Sequence, residues 1–161
     1  DPAVDVDPVV AASERRHANV NAALAHLMKA HGTITNNVDR LLDLYCHQCA
    51  LAMSCIGLAR AILPLAAQGF SRALGESVLT PNQAKRINAL MLTCGMYDAV
   101  GSFAYRVGLP AKSGVGGGIV AVVPDRLAIA VWSPELDRFG NSYVGTAALE
   151  LFTRLTRLSI F

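Results

Sequence analysis

The feature that most constrains this chain is a glycine-rich run at residues 108–119. A buried strand normally avoids glycine, because each interior glycine costs backbone entropy and packs no side chain. Glycine is retained where one stretch of backbone must closely approach another backbone or a ligand. The run follows an apolar stretch, residues 103–107, and leads into a second one, residues 119–123. It therefore predicts the edge of a β-sheet, with bare backbone beside a functional site.

The composition limits the kinds of partner that the protein binds. The chain has 161 residues, enough for one domain with a core, and 53% of them are hydrophobic whereas only 16% are charged. No apolar run reaches the roughly 18 residues of a membrane span, so we expect extensive burial, within the chain or against a missing piece. A net charge of +2 gives no electrostatic case for nucleic acid. We therefore expect neither a membrane nor a nucleic acid as partner.

Four cysteines, Cys46, Cys49, Cys55 and Cys94, bear on metal binding and on the redox environment. The Cys46-x-x-Cys49 spacing occurs in redox motifs and in zinc sites. A second metal-type pair is missing, however, and the motif lies inside an apolar helical pattern. We therefore expect buried, reduced thiols in a cytoplasmic protein that holds no metal and no cofactor.

The first 95 residues carry the spacing of amphipathic helices. After a polar entry segment at residues 1–8, apolar residues recur three and four positions apart, and capping side chains and glycines mark where helices begin and end. Thr80-Pro81 is the strongest start, because proline at the first helical position follows a capping hydroxyl. Asn36 or Asn37 is expected to cap the second helix and Ser54 the third. The predicted helices cover about residues 10–30, 37–53, 54–68 and 81–94.

The pattern then changes to short runs of β-branched and aromatic residues separated by turns. These runs predict three antiparallel strands at residues 103–107, 119–123 and 127–132, of which the last two form a hairpin. A final amphipathic helix is predicted to begin near Asn141-Ser142. We thus expect an α/β protein of the α+β type, with a helical subdomain at residues 1–95 and antiparallel strands plus a C-terminal helix at residues 96–161.

Residues Lys112-Ser113-Gly114, inside the glycine-rich run, resemble the Lys-Thr/Ser-Gly signature of penicillin-binding proteins and serine β-lactamases. With its flanks, this segment is similar to the glutaminases of the serine β-lactamase fold. The other similar segments are Ser13-Glu14, Asn21, Asp43-x-Tyr45, Gln48-Cys49, Cys94-Gly95-Met96-Tyr97-Asp98, Phe103-Ala104-Tyr105-Arg106-Val107, Val123-Pro124, Trp132-Ser133-Pro134, Leu136-Asp137 and Gly140-Asn141-Ser142. The resemblance implies a partial serine β-lactamase-like fold. It also implies hydrolysis of L-glutamine to L-glutamate and ammonia through a serine acyl-enzyme.

The resemblance covers only the second half of such an enzyme. The family's nucleophile is the serine of an upstream Ser-x-x-Lys motif, and no serine of this chain has lysine three residues later. Val20 also departs from the family, which usually has arginine just before the position of Asn21. The chain lacks an initial methionine, so we expect a processed or excised segment. Its expected partners are L-glutamine and the N-terminal half of the same enzyme, in a homo-oligomer.

The resemblance assigns the chemistry to Tyr97, Lys112 and Val115. The family's tyrosine at the position of Tyr97 lies close to the nucleophile, where its phenol can relay a proton. A phenol acts as a base only where a nearby cation, such as Lys112, stabilises its anion. Val115 contributes its backbone N–H to the oxyanion hole. Without the resemblance, Tyr97 would be interpreted as a core tyrosine and the glycines as a bulge in an edge strand.

The resemblance assigns substrate binding to Glu14, Asn21 and Tyr45, together with Tyr97 and Val115. An ammonium group in a dry cleft needs a carboxylate, and an amide can serve either end of the amino acid. Glu14 and Asn21 are seven residues apart, which predicts that they face the same side of one helix. Tyr45 would complete the pocket wall from the next helix. Taken alone, Glu14 also fits a favourable partner of the helix dipole, and Tyr45 a half-buried helix aromatic.

Two further hypotheses stay open: another serine acyl-hydrolase on the same fold, and a non-catalytic interaction module. The spacing of the five substrate residues argues against the first, and the missing Ser-x-x-Lys motif favours the second for the isolated chain. Ser113 is not expected to be the nucleophile, because adjacent strand residues point to opposite faces and Lys112 cannot easily act on it. The four histidines match no catalytic position and are expected on the surface or at helix ends.

Overall fold

The computed structural model describes residues 4–161, which form two compact units divided between Met53 and Ser54. Of the entry segment predicted at residues 1–8, residues 1–3 lie outside the described part. The subdomain boundary predicted between residues 95 and 96 falls inside the second unit, where helices from both sides of it pack on one sheet. That boundary stays a prediction.

The first unit combines three helices with a short antiparallel ribbon. The helices are α1 (Pro8–His17), α2 (Asn19–Ala30) and α3 (Val38–Cys49), and the ribbon pairs β1 (Asp5–Val6) with β2 (Leu51–Ala52). The side chain of Asp7 caps α1, and that of Asn37 caps α3 by accepting from the Arg40 N–H. The helix predicted at residues 37–53 corresponds to α3. It ends at Cys49, earlier than predicted, because the chain then turns and β2 pairs with β1.

The single helix predicted over residues 10–30 is wrong, because the chain forms two helices that meet at Ala18. This residue is buried, and its ψ of 22° ends α1. A straight helix over residues 10–30 would extend about 31 Å, whereas α3 has only 12 residues and is about 18 Å long. The break allows α1 and α2 each to pack on α3. Glu14 and Asn21 therefore lie on two helices rather than on one face of one helix.

The predicted helix starts of the second unit are confirmed. Ser54 caps α4 (Cys55–Ala66) by accepting from the Gly57 N–H. Thr80 and Gln83 form a reciprocal capping box at the start of α5 (Pro81–Cys94), and Gly95 follows its end. Between the two helices lies a short hairpin that the sequence did not predict, formed by β3 (Phe70–Ser71) and β4 (Glu76–Ser77).

The second unit is centred on a three-stranded antiparallel sheet in the order β5-β6-β7. Its strands are β5 (Ala111–Ser113), β6 (Gly118–Val123) and β7 (Leu127–Trp132), and β6 and β7 form the predicted hairpin. α4 packs against β6 and β7, and so does the final helix, α7 (Tyr143–Thr156). Among the described residues, β7 pairs with β6 and with no other strand.

β6 lies between two hydrophobic cores, and its alternate residues face each of them in turn. Val120 and Val122 belong to a cluster with residues of α4 and α5. Ile119, Ala121 and Val123 belong to a second cluster, which includes Phe103, Leu109 and Leu149. This burial on both faces fixes the register of the sheet, because a slip by one residue would exchange the two faces.

The strand predicted at residues 103–107 is wrong, because this segment forms α6 (Val100–Arg106) and the turn after it. Phe103 is 3% exposed and Val107 is 1% exposed, whereas Tyr105 between them is 93% exposed. A strand would place all three side chains on one face, whereas a helix brings positions four apart together. The guanidinium of Arg106 also binds Glu150 and so joins α6 to α7. The third strand is instead β5, inside the glycine-rich run.

Gly95 allows the end of α5 to lie directly against β5. A Cβ atom at this position would overlap the carbonyl oxygen of Ala111, so no larger residue fits without a backbone shift. The Ser113 N–H donates to the Gly95 carbonyl at 3.0 Å. This contact brings Tyr97 next to the residues that follow β5.

We expect Gly95→Ala to lower the free energy of unfolding by about 3 kcal/mol, since β5 must move away from α5. Gly101→Ala is the matched control, because a Cβ there meets no atom within 4 Å and alanine favours the helix. Urea denaturation of the two variants and the parent measures the difference. Equal stability of both variants would contradict the role assigned to Gly95.

Candidate active site

Tyr97 lies two residues after Gly95 and has strained backbone. It begins a 3-10 turn, Tyr97–Ala99, with a φ of 48°. A residue other than glycine in this left-handed region costs on the order of 1–3 kcal/mol and persists only where its surroundings enforce it. The side chain is 40% exposed, which excludes the interpretation of Tyr97 as a core tyrosine. The fold thus holds the ring at the surface in a conformation that local preferences oppose.

Lys112 lies beside the ring of Tyr97. As the alternation of a strand predicts, β5 directs Lys112 outward and Ser113 into the interior. The Nζ atom of Lys112 is 5.0 Å from the centroid of the Tyr97 ring, within the range of a cation–π interaction. The same ammonium group donates to the carbonyl oxygen of Ser113. A positive charge is therefore held where it can stabilise negative charge on the phenol.

Val115 lies in a tight turn that joins β5 to β6. Gly117 N–H donates to the Gly114 carbonyl at 3.0 Å, and Gly114 N–H donates to the Gly118 carbonyl at 2.9 Å. The indole N–H of Trp132 holds the turn from outside by donating to the Gly116 carbonyl at 2.9 Å. Among the described residues no group accepts a hydrogen bond from the Val115 N–H. This donor is available to a ligand.

Gly140 lies between the side chains of Tyr97 and Val115. Its φ is 92°, and a Cβ atom there would come within 3.7 Å of the Tyr97 ring and 3.8 Å of Val115 Cγ1. Glycine at this position therefore keeps the space between the two residues open. Three residues that the resemblance assigned to one site, Tyr97, Lys112 and Val115, lie together in the second unit.

Asn21 and Tyr45 line one groove in the first unit. This groove between α2 and α3 has a volume of about 350 Å³, and its lining is apolar except for Asn21, Tyr45 and Gln48. Tyr45 is 45% exposed. The arrangement offers an amide and a phenol at the edge of an apolar surface.

Glu14 lies on α1 and is partly buried, but it does not line this groove. It lies near the buried Cys46 of α3. Burial raises the pKa of the Cys46 thiol, and the negative charge of Glu14 acts in the same direction. Cys46 is therefore a core residue, and Glu14 is not among the residues that line the groove with Asn21 and Tyr45.

The prediction that the cysteines are buried is right only for Cys46. Cys49, Cys55 and Cys94 are exposed, and all four are free thiols. Cys46 is buried within the unit, whereas Cys49 is exposed at the last position of α3. Within residues 4–161, no group of three His, Cys, Asp or Glu side chains is placed to hold a metal ion.

Asn141 is a residue of the site that sequence patterns did not single out. It is 1% exposed and hydrogen-bonded to both Ser113 and Met96. A polar residue beside a glycine in a predicted loop gives no local sign of burial. Only its place in the segment Gly140-Asn141-Ser142, which was part of the family resemblance, could have drawn attention to it.

Comparison with known proteins identifies what the chain is similar to. A family model described as "Glutaminase" matches residues 1–161. The glutaminase of Caulobacter vibrioides strain NA1000 is 62% identical over 157 residues, which are 98% of this chain and 51% of that protein. A glutaminase of Vibrio cholerae strain O395 is 55% identical over 161 residues, with 100% of this chain and 53% of that protein covered. The chain thus spans about half the length of the curated relatives it matches.

Solved structures of glutaminases share the fold. The Bacillus subtilis glutaminase YbgJ, in a covalent complex with 5-oxo-L-norleucine formed by reaction with 6-diazo-5-oxo-L-norleucine, has a TM-score of 0.92 and 38% identity. The match covers 98% of this chain and 57% of that one. A second structure of a Bacillus subtilis probable glutaminase gives a TM-score of 0.91 at 37% identity. Both relations extend over nearly the whole of this chain.

Proposed function

This chain belongs to the glutaminase family, and we propose that it is the C-terminal half of an enzyme that hydrolyses L-glutamine to L-glutamate and ammonia. The observation that carries the proposal is the meeting of Tyr97, Lys112 and Val115 in a chain that the family model matches throughout. The sequence holds no Ser-x-x-Lys motif. The serine that is acylated therefore comes from the N-terminal half, and the chain alone is inactive.

The second unit supplies proton transfer and electrostatic stabilisation. In the proposal, Tyr97 acts as a phenolate that takes the proton of the attacking serine, and the phenol so formed gives that proton to the amide nitrogen, which departs as ammonia. The ammonium of Lys112, 5.0 Å from the centroid of the ring, stabilises the phenolate that must be present before the serine attacks. The unpaired Val115 N–H donates to the oxyanion that forms on the amide carbon. Water then hydrolyses the acyl-enzyme and releases L-glutamate.

The first unit supplies binding of the amino-acid end of the substrate. The carboxylate of Glu14 pairs with the α-ammonium group, and Asn21 and Tyr45 hydrogen-bond the polar atoms around it. The exposed Tyr45 ring and the groove that it shares with Asn21 support this assignment. Because these residues bind groups that do not react, their main contribution is to substrate affinity.

The N-terminal half is proposed to complete the sheet of the second unit. In the described chain β7 has a strand partner on one side only, and an unpaired strand edge is a template for a further strand. Large apolar side chains such as Leu24, Leu44 and Leu155 are also exposed. We infer that the missing half and a homo-oligomer cover much of this surface.

A cytoplasmic location is also proposed, on the evidence of the thiols. Three free cysteines, Cys49, Cys55 and Cys94, are exposed, and exposed free thiols are typical of a reducing compartment. In the part of the chain that the structure describes, no helix has both the length and the apolar character needed to cross a bilayer.

A non-catalytic interaction module is the second candidate for the chain by itself, because the chain lacks a nucleophile. A different serine acyl-hydrolase on the same fold is disfavoured by the family match over residues 1–161. Restored hydrolysis of glutamine by a complete enzyme distinguishes both alternatives from the main proposal.

We expect the isolated chain to release no ammonia from glutamine, whereas a chimera regains activity when the N-terminal half of the Caulobacter vibrioides relative precedes it. Coupled ammonia assay measures turnover, and intact mass after incubation with 6-diazo-5-oxo-L-norleucine reports covalent labelling. The chimera should be labelled and the isolated chain should not. Turnover by the isolated chain would contradict the proposal, because it would require another nucleophile.

In the active chimera, Tyr97→Phe should lower kcat by about 100-fold or more and change KM much less, since loss of the phenol removes proton transfer in the transition state. Tyr105→Phe is the matched control, because Tyr105 lies on α6 and is almost fully exposed. Steady-state kinetics on both variants measures the split between kcat and KM. An unchanged kcat for Tyr97→Phe would return the residue to a structural role.

Glu14→Gln preserves shape and removes the negative charge, so we expect glutamine to bind more weakly by about 2 kcal/mol. A glutamine analogue without the α-amino group lacks the ammonium partner and should be insensitive to the substitution. Inhibition constants of the analogue and KM for glutamine, measured on the same chimera, test the difference. Equal losses for both compounds would show damage to the fold instead of loss of a contact.

A further inference from the structure

We propose that Asn141 is a positioning residue that holds Tyr97 in register with the Lys112–Val115 segment, a role that rests on the proposed glutaminase function. Neither Asn141 nor its hydrogen bonds are part of the substrate or proton-transfer roles described above. This role concerns how the site keeps its geometry, and it follows from two hydrogen bonds of one buried side-chain amide.

The side chain of Asn141 joins the two segments that carry the candidate chemistry. Its Oδ1 atom accepts a hydrogen bond from the Ser113 hydroxyl at 2.6 Å, and its Nδ2 atom donates to the Met96 carbonyl at 3.3 Å. Ser113 is the residue next to Lys112, and Met96 is the residue before Tyr97. A single buried amide thus bridges β5 and the turn that begins at Tyr97.

The hydrogen bond to Met96 acts on the strained residue itself. The carbonyl of Met96 and the N–H of Tyr97 belong to one peptide plane, and φ of Tyr97 is the rotation about the N–Cα bond measured from that plane. Holding the Met96 carbonyl therefore restrains the orientation that gives Tyr97 its φ of 48°. The same carbonyl also accepts from the Ala99 N–H at 3.1 Å, so two donors fix the plane.

Asn141 is itself fixed by its own loop. Its backbone N–H donates to Asp137 Oδ1 at 3.0 Å, and its carbonyl accepts from the Asp137 N–H at 2.7 Å. The neighbouring Gly140 lies close to Tyr97 and Val115, since a Cβ atom added to it would come within 4 Å of both side chains. The loop at residues 137–141 therefore lies beside Tyr97 and Val115, and through Asn141 it is hydrogen-bonded to the Ser113 hydroxyl and the Met96 carbonyl.

The consequence is a specific effect on turnover. The residues proposed to bind the amino-acid end, Glu14, Asn21 and Tyr45, belong to the first unit, whereas Asn141 and its partners belong to the second. Loss of the bridge should leave substrate affinity nearly unchanged and misplace the phenol relative to the Val115 N–H. Small misplacements of reacting groups are costly for the transition state.

The test uses Asn141→Leu in the chimera with the Caulobacter vibrioides N-terminal half. Leucine keeps a similar volume and removes both amide hydrogen bonds, while Met96 retains its bond from Ala99. We expect kcat to fall at least tenfold and KM to change less than twofold. Asn82→Leu, on the exposed surface of α5, is the matched control and should retain the kcat of the parent.

A second pair of variants separates positioning from folding. Ser113→Ala removes one hydroxyl and so one end of the bridge, whereas Ser113→Thr keeps a hydroxyl and should rescue kcat. This pair decides the matter if Asn141→Leu does not fold. If the unsubstituted chimera is active and Asn141→Leu leaves its kcat unchanged, the positioning role of Asn141 is wrong while the proposed function stands. If Asn141→Leu does not fold, an unchanged kcat for Ser113→Ala leads to the same conclusion. If the unsubstituted chimera folds but does not hydrolyse glutamine, both the positioning role and the proposed function are wrong.

Discussion

The close approach of two backbone segments at Gly95 is the constraint on which the geometry of the second unit depends. α5 ends there against β5, with no room for a side chain between the helix end and the Ala111 carbonyl. The hydrogen bond from the Ser113 N–H to the Gly95 carbonyl stabilises this contact between α5 and β5. Tyr97 follows Gly95 by two residues on one side, and on the other side Lys112 lies in β5 and Val115 in the turn after it. Tyr97, Lys112 and Val115 therefore lie close together because the end of α5 lies directly against β5.

Features that depend on neighbouring residues could be predicted from the sequence. The helix start at Thr80-Pro81 and the hairpin of β6 and β7 depend on local sequence, and both predictions are confirmed. The segment at residues 103–107 was misassigned because β-branched and aromatic residues suggested a strand. The spacing of Phe103 and Val107, four positions apart with Arg106 between them, in fact fits the buried side of a helix. At residues 103–107 the four-residue spacing of the buried side chains indicated a helix, whereas the β-branched and aromatic residue types wrongly suggested a strand.

The candidate site depends on a different kind of information. Tyr97, Lys112 and Val115 were named through family resemblance, since nothing in their own residue types requires them to meet. The division of the first helix at Ala18 was not predictable, because it follows from the length of α3, against which both parts pack. The burial of Asn141 was not predictable either, since its partners Ser113 and Met96 come from distant parts of the chain. Contacts that tertiary structure creates leave little trace in local sequence.

Trp132 gives the protein an optical probe at a useful place. It is the only tryptophan of the chain, and its indole donates to Gly116 in the turn that carries Val115. The ring is largely exposed, so its emission responds to changes in hydration as well as in hydrogen bonding. Rearrangement of the glycine turn, on ligand entry or on closure by a partner segment, therefore alters intrinsic fluorescence. Stopped-flow spectroscopy could follow this turn in unlabelled protein, separately from the release of product.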